Sequence, residues 1–144
     1  MSLAALAADP RTAPVVLRPG DLVPFDRGGG VRTVHLVTAD VGSQFLSGTT
    51  EFDPGASLPL HSHDCEESVV VLEGKAAFEA GGELIDMEPG DTTWVPAGVV
   101  HRFLNRGTGR MRILWIYGEV TARRTMAATG ETFPIGSASD SGSR

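Results

Sequence analysis

Short apolar runs follow one another along this chain at intervals of roughly 8–12 residues, separated by Gly, Pro and Asn. They are VVL (15–17), VRTVHLV (31–37), FLSGTTEF (45–52), SVVVLEG (68–74), KAAFEA (75–80), ELIDM (83–87), TTWVP (92–96), HRFLN (101–105) and MRILWIYGEV (111–120). Several alternate apolar and polar residues, the period of a half-buried strand, and none extends into a long amphipathic helix. The 18 glycines and 9 prolines among 144 residues suit a chain that turns often. The expected class is therefore all-β, a sandwich or barrel. This length supports one hydrophobic core and is short for two domains. We read a loose arm over residues 1–14, one β domain over 15–136, and a polar Ser/Gly tail over 137–144 that is expected to be disordered.

The turn chemistry supports antiparallel connections. Glu73-Gly74 reads as a tight hairpin, and Ala80-Gly81-Gly82-Glu83 as another, with glycine accepting positive φ. Met87-Glu88-Pro89-Gly90-Asp91 is a turn in which Pro89 presets φ, and Val95-Pro96-Ala97-Gly98 fits a type I turn.

Charge and cysteine content narrow the function classes. The net charge is -6, with no run of Lys or Arg to track a phosphate backbone, so nucleic acid is excluded as an expected partner. Cys65 is the single cysteine, so no internal disulfide framework exists and a reducing cytoplasm is the expected location. The opening MSLAALAADP lacks the basic flank and apolar length of a signal peptide. No stretch reaches the about 18 apolar residues needed to span a bilayer, so a soluble protein with no membrane partner is expected.

Three of the four histidines fall in two patches. His61-Ser62-His63 on a strand sends both imidazoles to one face, because side chains alternate with period two. If the polar Asp64-Cys65-Glu66 stretch turns the chain, Glu67 opens the next strand and faces the same interior. His101 follows the Pro-Ala-Gly turn and starts a strand whose end a barrel can return to the first pair. Neutral imidazoles with a carboxylate suit Fe, Mn, Ni, Co, Cu or Zn. Four protein ligands leave about two positions open in an octahedral shell, the arrangement of a catalytic rather than a structural ion. Glu66 competes with Glu67 for the carboxylate role, and spacing to Gly74 favours Glu67. Cys65 is a further ligand candidate if the strand is unbroken.

Gly55-X5-His61-X-His63-X3-Glu67-X6-Gly74 resembles the first cupin motif. Gly90-X5-Pro96-X-Gly98-X2-His101-X3-Asn105 resembles the second, and the flanking runs extend the likeness to roughly residues 15–120. The resemblance implies a single antiparallel jelly-roll-like cupin β-barrel holding one divalent transition metal per chain. On the motif positions it makes His61, His63, Glu67 and His101 the ligands. It also implies a homodimer, and it leaves the reaction open, since similar barrels catalyse many reactions or none.

The expected function is a metal-dependent enzyme acting on a small, bidentate oxygen-containing substrate, with dioxygenase chemistry ahead of isomerase or lyase chemistry. A divalent ion with three imidazoles and one carboxylate keeps a charge of about +1, which favours an anionic substrate. Glu66 and Tyr117 are candidate general acids or bases. Two alternatives stand beside this reading: a metal-containing module that binds or senses a small ligand without turnover, and a metal-free epimerase-like barrel with a histidine base. Phe45, Phe52, Trp94, Phe103, Trp115 and Tyr117 are candidate pocket walls. His35 reads as an ordinary strand residue, with pocket lining as its alternative, Gly55, Gly74, Gly90, Pro96, Gly98 and Asn105 as turn and closure residues, and Arg123, Arg124 and Thr125 as a solvated edge, with a substrate carboxylate or a second subunit as the alternative contact.

Overall fold

In the computed structural model, which describes residues 13–140, the alternating runs become antiparallel strands. These are β1 (Phe25–Gly28), β2 (Val31–Val37), β3 (Leu46–Phe52), β4 (His61–His63), β5 (Glu67–Glu73), β6 (Ala76–Ala80), β7 (Glu83–Met87), β8 (Thr92–Val95), β9 (His101–Asn105), β10 (Met111–Tyr117), β11 (Arg123–Met126) and β12 (Thr132–Pro134). They form two six-stranded sheets, ordered β1-β2-β3-β10-β5-β8 and β12-β11-β4-β9-β6-β7. The expected all-β jelly-roll barrel is the observed architecture.

Alternation places the core between the sheets. Met111, Ile113, Trp115 and Tyr117 of β10 are buried, as are Val69 and Val71 of β5 and Phe103 of β9. Trp115, Thr50, Thr33 and Asn105, polar groups buried beside them, find internal partners, as burial requires. The Trp115 indole donates to Thr50 Oγ1 at 2.9 Å, and Thr50 pairs with Thr33. Asn105 confirms its closure role: its amide donates to the carbonyls of Phe52 and Gly109, and its Oδ1 accepts from Gly107 N–H at 2.9 Å.

Three expectations about elements need correction. Glu73-Gly74 is not a hairpin, because β5 and β6 lie in different sheets. The chain crosses between sheets there, with Gly74 at φ 86 and packed so tightly that a Cβ would sit 2.4 Å from the Arg110 carbonyl oxygen. The turns at 87–91 and 95–98 also pass between sheets, whereas Gly81-Gly82 does close a true hairpin, pairing Ala80 with Glu83. The run at 15–17 forms no strand. The tail expectation fails at residues 138–140, where Ala138–Asp140 makes a 3-10 turn that buries Asp140; positions 141–144, and 1–12 of the expected arm, lie outside the described residues. Among the described residues no helix is long and apolar enough to cross a membrane.

Candidate metal centre

Strand register assembles the site. His61 on β4 stands directly opposite His101 on β9, and period two puts His63 on the same inward face. Glu67 starts β5 in the facing sheet, paired with Tyr117 at the end of β10. On the other flank of β4, Arg124 of β11 pairs with His63. All six of these side chains are buried.

The three imidazoles lie with ring centroids 4.8–5.5 Å apart, each offering a ligand nitrogen within 4.8 Å of the others. Each Nδ1 faces a backbone carbonyl: Pro59 for His61 at 2.7 Å, Arg123 for His63 at 3.1 Å and Val99 for His101 at 2.8 Å. A carbonyl only accepts, so Nδ1 carries the proton in every ring and Nε2 is the atom left to act as ligand. The Glu67 carboxylate lies against this group, with Oε1 accepting from His101 Nε2 at 2.9 Å, so this ring carries a proton on both nitrogens here and sheds the Nε2 proton to act as a ligand. Its Oε2 is 3.5 Å from His63 Nε2, beyond a hydrogen bond, so that buried nitrogen has no partner. An orphaned imidazole nitrogen beside a carboxylate and two more imidazoles fits a divalent transition metal ion.

The electrostatics agree with such a donor set. Burial pushes the His61 pKa well below the ordinary imidazole value, and the cations around it add to that. Burial also lowers His63, with Glu67 opposing it. For His101 burial is outweighed by the Glu67 hydrogen bond and charge, so its pKa is raised. Burial alone would raise Glu67, but His101 and His63 beside it hold the carboxyl well below the usual range. Glu67 is thus an anion and two of the histidines are neutral, the protonation states that metal ligands need.

The other expected residues divide. Tyr117 is buried with its ring 4.5 Å from that of His63, and burial and Glu67 raise its pKa, so it is a neutral hydroxyl. Glu66 lies on the outer surface, where it accepts from the Trp94 indole at 2.8 Å, away from the cavity. Cys65 packs in the apolar core and stands apart from the histidine group. Of the six aromatic wall candidates, Phe52, Phe103, Trp115 and Tyr117 line the cavity, whereas Phe45 and Trp94 are exposed.

Of four further residues near the site, His35 and Arg124 take the alternative the sequence ranked second, and Arg27 and Asp140 escaped it. His35 lines the cavity, stacked edge-on between Phe25 and Trp115, with its pKa lowered by burial and by Arg27 and Arg124. Arg124 is buried in the cavity wall rather than on a solvated edge, while Arg123 is exposed. Arg27 and Asp140 join it there: Asp140 Oδ1 accepts from Arg124 and lies 3.1 Å from Arg27 Nη2, and the Asp140 carbonyl accepts from Arg27 Nε. The available signal for Arg124 was its parity with Ala122 and Met126, which are buried.

A family model for the cupin domain matches residues 48–117, which contain every one of the four candidate ligands. The chain belongs to the cupin superfamily. This cupin is 32% identical over 97 residues to the tetracenomycin polyketide synthase protein TcmJ of Streptomyces glaucescens, covering 65% of this chain and 64% of that protein. It is also 32% identical over 91 residues to quercetin 2,3-dioxygenase of Bacillus subtilis, covering 62% of this chain and 27% of that protein. The matches thus span less than two thirds of these curated relatives. Among solved structures, the polyketide cyclase RemF of Streptomyces resistomycificus superposes with a TM-score of 0.69 over 89% of both chains, at 18% identity, a likeness of fold.

Proposed function

We propose that this cupin is a metal-dependent enzyme whose His61, His63, Glu67 and His101 hold one divalent transition metal ion (Fe, Mn, Ni, Co, Cu or Zn). Its substrate is a small organic molecule that chelates through two oxygens. The observation that carries this reading is the three Nε2 donors, fixed in tautomer by backbone carbonyls and gathered around a buried carboxylate. Such an ion supplies Lewis acidity and, where redox-active, a route for electrons to dioxygen.

The chain's own residues complement that chemistry. Tyr117, kept neutral by burial, can donate a hydrogen bond to a substrate oxygen. His35, held neutral in the same cavity, can accept a proton from a carbon acid. Phe52, Phe103 and Trp115 exclude water from the reacting face. Dioxygenation is the leading reaction, supported by the likeness to quercetin 2,3-dioxygenase. The Tyr117–His35 pair and the polyketide-synthesis relatives favour a second reading, in which the substrate is enolised and rearranged or cyclised without oxygen.

Elemental analysis of tag-free protein beside His61→Ala and His101→Ala, followed by oxygen uptake with diketones, catechols and flavonols, tests this. About one metal ion per chain, lost in both variants, with oxygen consumed as substrate disappears, is the expected result. Substrate loss without oxygen uptake selects the second reading. Ligand-dependent thermal stabilisation with no product makes the protein a binding module. Protein that takes up no metal even on reconstitution overturns the ligand assignment.

A further inference from the structure

An antiparallel sheet that packs one face on a core ordinarily presents polar side chains on the other. The β10-β5-β8 part of the first sheet does not. Its outward residues include Leu72, Trp94 and Ile116, exposed by 41%, 65% and 38%, with the half-buried Val70 and Leu114 among them. Register sets these side chains in two cross-strand rows. Ile116, Ser68 and Trp94 stand side by side in one, and Thr49, Leu114, Val70 and Thr92 in the next. Neither row carries a charge. Beyond the second row, Arg112 and Glu73 are cross-strand neighbours.

We propose that a second copy of the chain docks on this face, sheet against sheet, around a two-fold axis that runs along the strands between β10 and β5. The face lies on the opposite side of β5 and β10 from Glu67 and Tyr117, so the proposal goes beyond the enzyme reading and does not rest on it.

Three observations select a second copy as the occupant. The first is self-complementarity. An axis in that place sets each β10 residue over the partner's counterpart of its own β5 neighbour. Ile116 then meets the partner's Ser68, a large side chain over a small one, and Leu114 meets the partner's Val70. Arg112 meets the partner's Glu73, so copies that each carry a net charge of -6 face one another there with opposite charges. Each contact occurs twice, and one operation matches shape, apolar surface and charge together. The second observation is area. Four strands about 4.8 Å apart, about six residues long at about 3.4 Å each, make a face of roughly 400 Å2. A standard interface takes about 800 Å2 from each partner, of which about 56% is apolar. This face therefore comes close to the apolar share, and Thr49, Thr92, Arg112 and Glu73 supply a polar rim. The third is shape: a small molecule needs a concave site, whereas two flat sheets pack face to face.

Sedimentation equilibrium of the full chain tests this on wild type, Leu114→Lys and Ile116→Lys. Leu84→Lys is the control, because Leu84 is also exposed but lies on β7 of the second sheet. Wild type is expected to sediment at twice the chain mass. Leu114→Lys and Ile116→Lys, which put a cation in the apolar centre, should raise the dissociation constant at least a hundredfold, while Leu84→Lys leaves it unchanged. Thermal midpoints confirm that each variant is folded. A mixing test stands independently of the lysine variants. Arg112→Glu and Glu73→Arg each oppose like charges across the axis and should weaken their own dimers. Mixed together they should yield heterodimer by native mass spectrometry, because both opposed pairs then carry opposite charges. A wild-type dimer that both lysine variants leave intact puts the axis elsewhere and overturns the proposal, as does a mixture that gains no heterodimer. A wild-type monomer overturns it too, and the full chain carrying Leu3→Asp/Leu6→Asp then names the occupant. Dimerisation of that variant gives the face to the segment 1–12, and a continued monomer leaves it to a different protein.

Discussion

Gly48 shows how a single missing side chain shapes the cavity. It sits mid-strand on β3, opposite His35 on one side and Trp115 on the other. A Cβ there would lie 2.3 Å from the Val34 carbonyl oxygen and 2.4 Å from the Trp115 ring. The glycine is therefore required by space: it lets the indole lie across the strand and reach Thr50. Gly48→Ala should displace the indole, break its hydrogen bond to Thr50 and cost about 1–3 kcal/mol, as overpacking in a filled core does. Urea unfolding with tryptophan fluorescence would show a lower midpoint and an altered native emission. Unchanged stability and emission would contradict this account. The metal ligands were legible at this scale because His-X-His and the motif spacings encode strand parity directly. Arg27 and Asp140 were not, because a carboxylate and a guanidinium 113 positions apart leave no local pattern.

At the scale of elements, the sequence announced where the chain turns better than it announced where each turn leads. Gly81-Gly82 and Glu73-Gly74 look alike as glycine turns between alternating runs, yet one closes a hairpin and the other carries the chain to the opposite sheet. The difference is set by distant strands: β5 is flanked by β10 and β8, leaving β6 no free edge beside it. β11 was missed because its four residues read RRTM, and only burial against β4 gives their alternation a meaning. The crossing at Gly74 is tight as well as left-handed, so substitution there meets two obstacles. Gly74→Ala should cost more than the roughly 1 kcal/mol lost when alanine takes a left-handed position alone, because its methyl group collides with the Arg110 backbone. Gly82→Ala, at φ 78 with open space around it, supplies the comparison. Equal losses in chemical denaturation would show that packing at Gly74 is unimportant.

For the whole molecule, the buried titrating cluster ties stability to pH. After chelation, His61 and His63 have folded pKa values below the ordinary imidazole value of about 6.5. Protonation of either favours the unfolded chain, so the stability they contribute is complete above about pH 6.5 and is lost as pH falls below it. His101 behaves oppositely: its raised pKa contributes stability that is complete below about pH 6.5 and fades as pH rises through the folded value. Glu67, held low, contributes above the ordinary carboxyl pKa of about 4.3 and loses its part only in stronger acid. Between pH 7 and pH 5 the two depressed histidines therefore govern, and up to two protons taken up on unfolding give a slope of at most about 2.7 kcal/mol per pH unit. Metal binding runs in the same direction, since protons compete for the same nitrogens. Chelated protein should thus show a thermal midpoint that falls steadily from pH 7 to pH 5, and metal-loaded protein should start higher and converge on it as the ion is released. A His61→Gln/His63→Gln variant should flatten the chelated profile, because neither position can then take up a proton. If the chelated wild type instead holds a constant midpoint across this range, the histidines are not buried as neutral rings. The donor set would then have to be assembled by the metal rather than awaiting it.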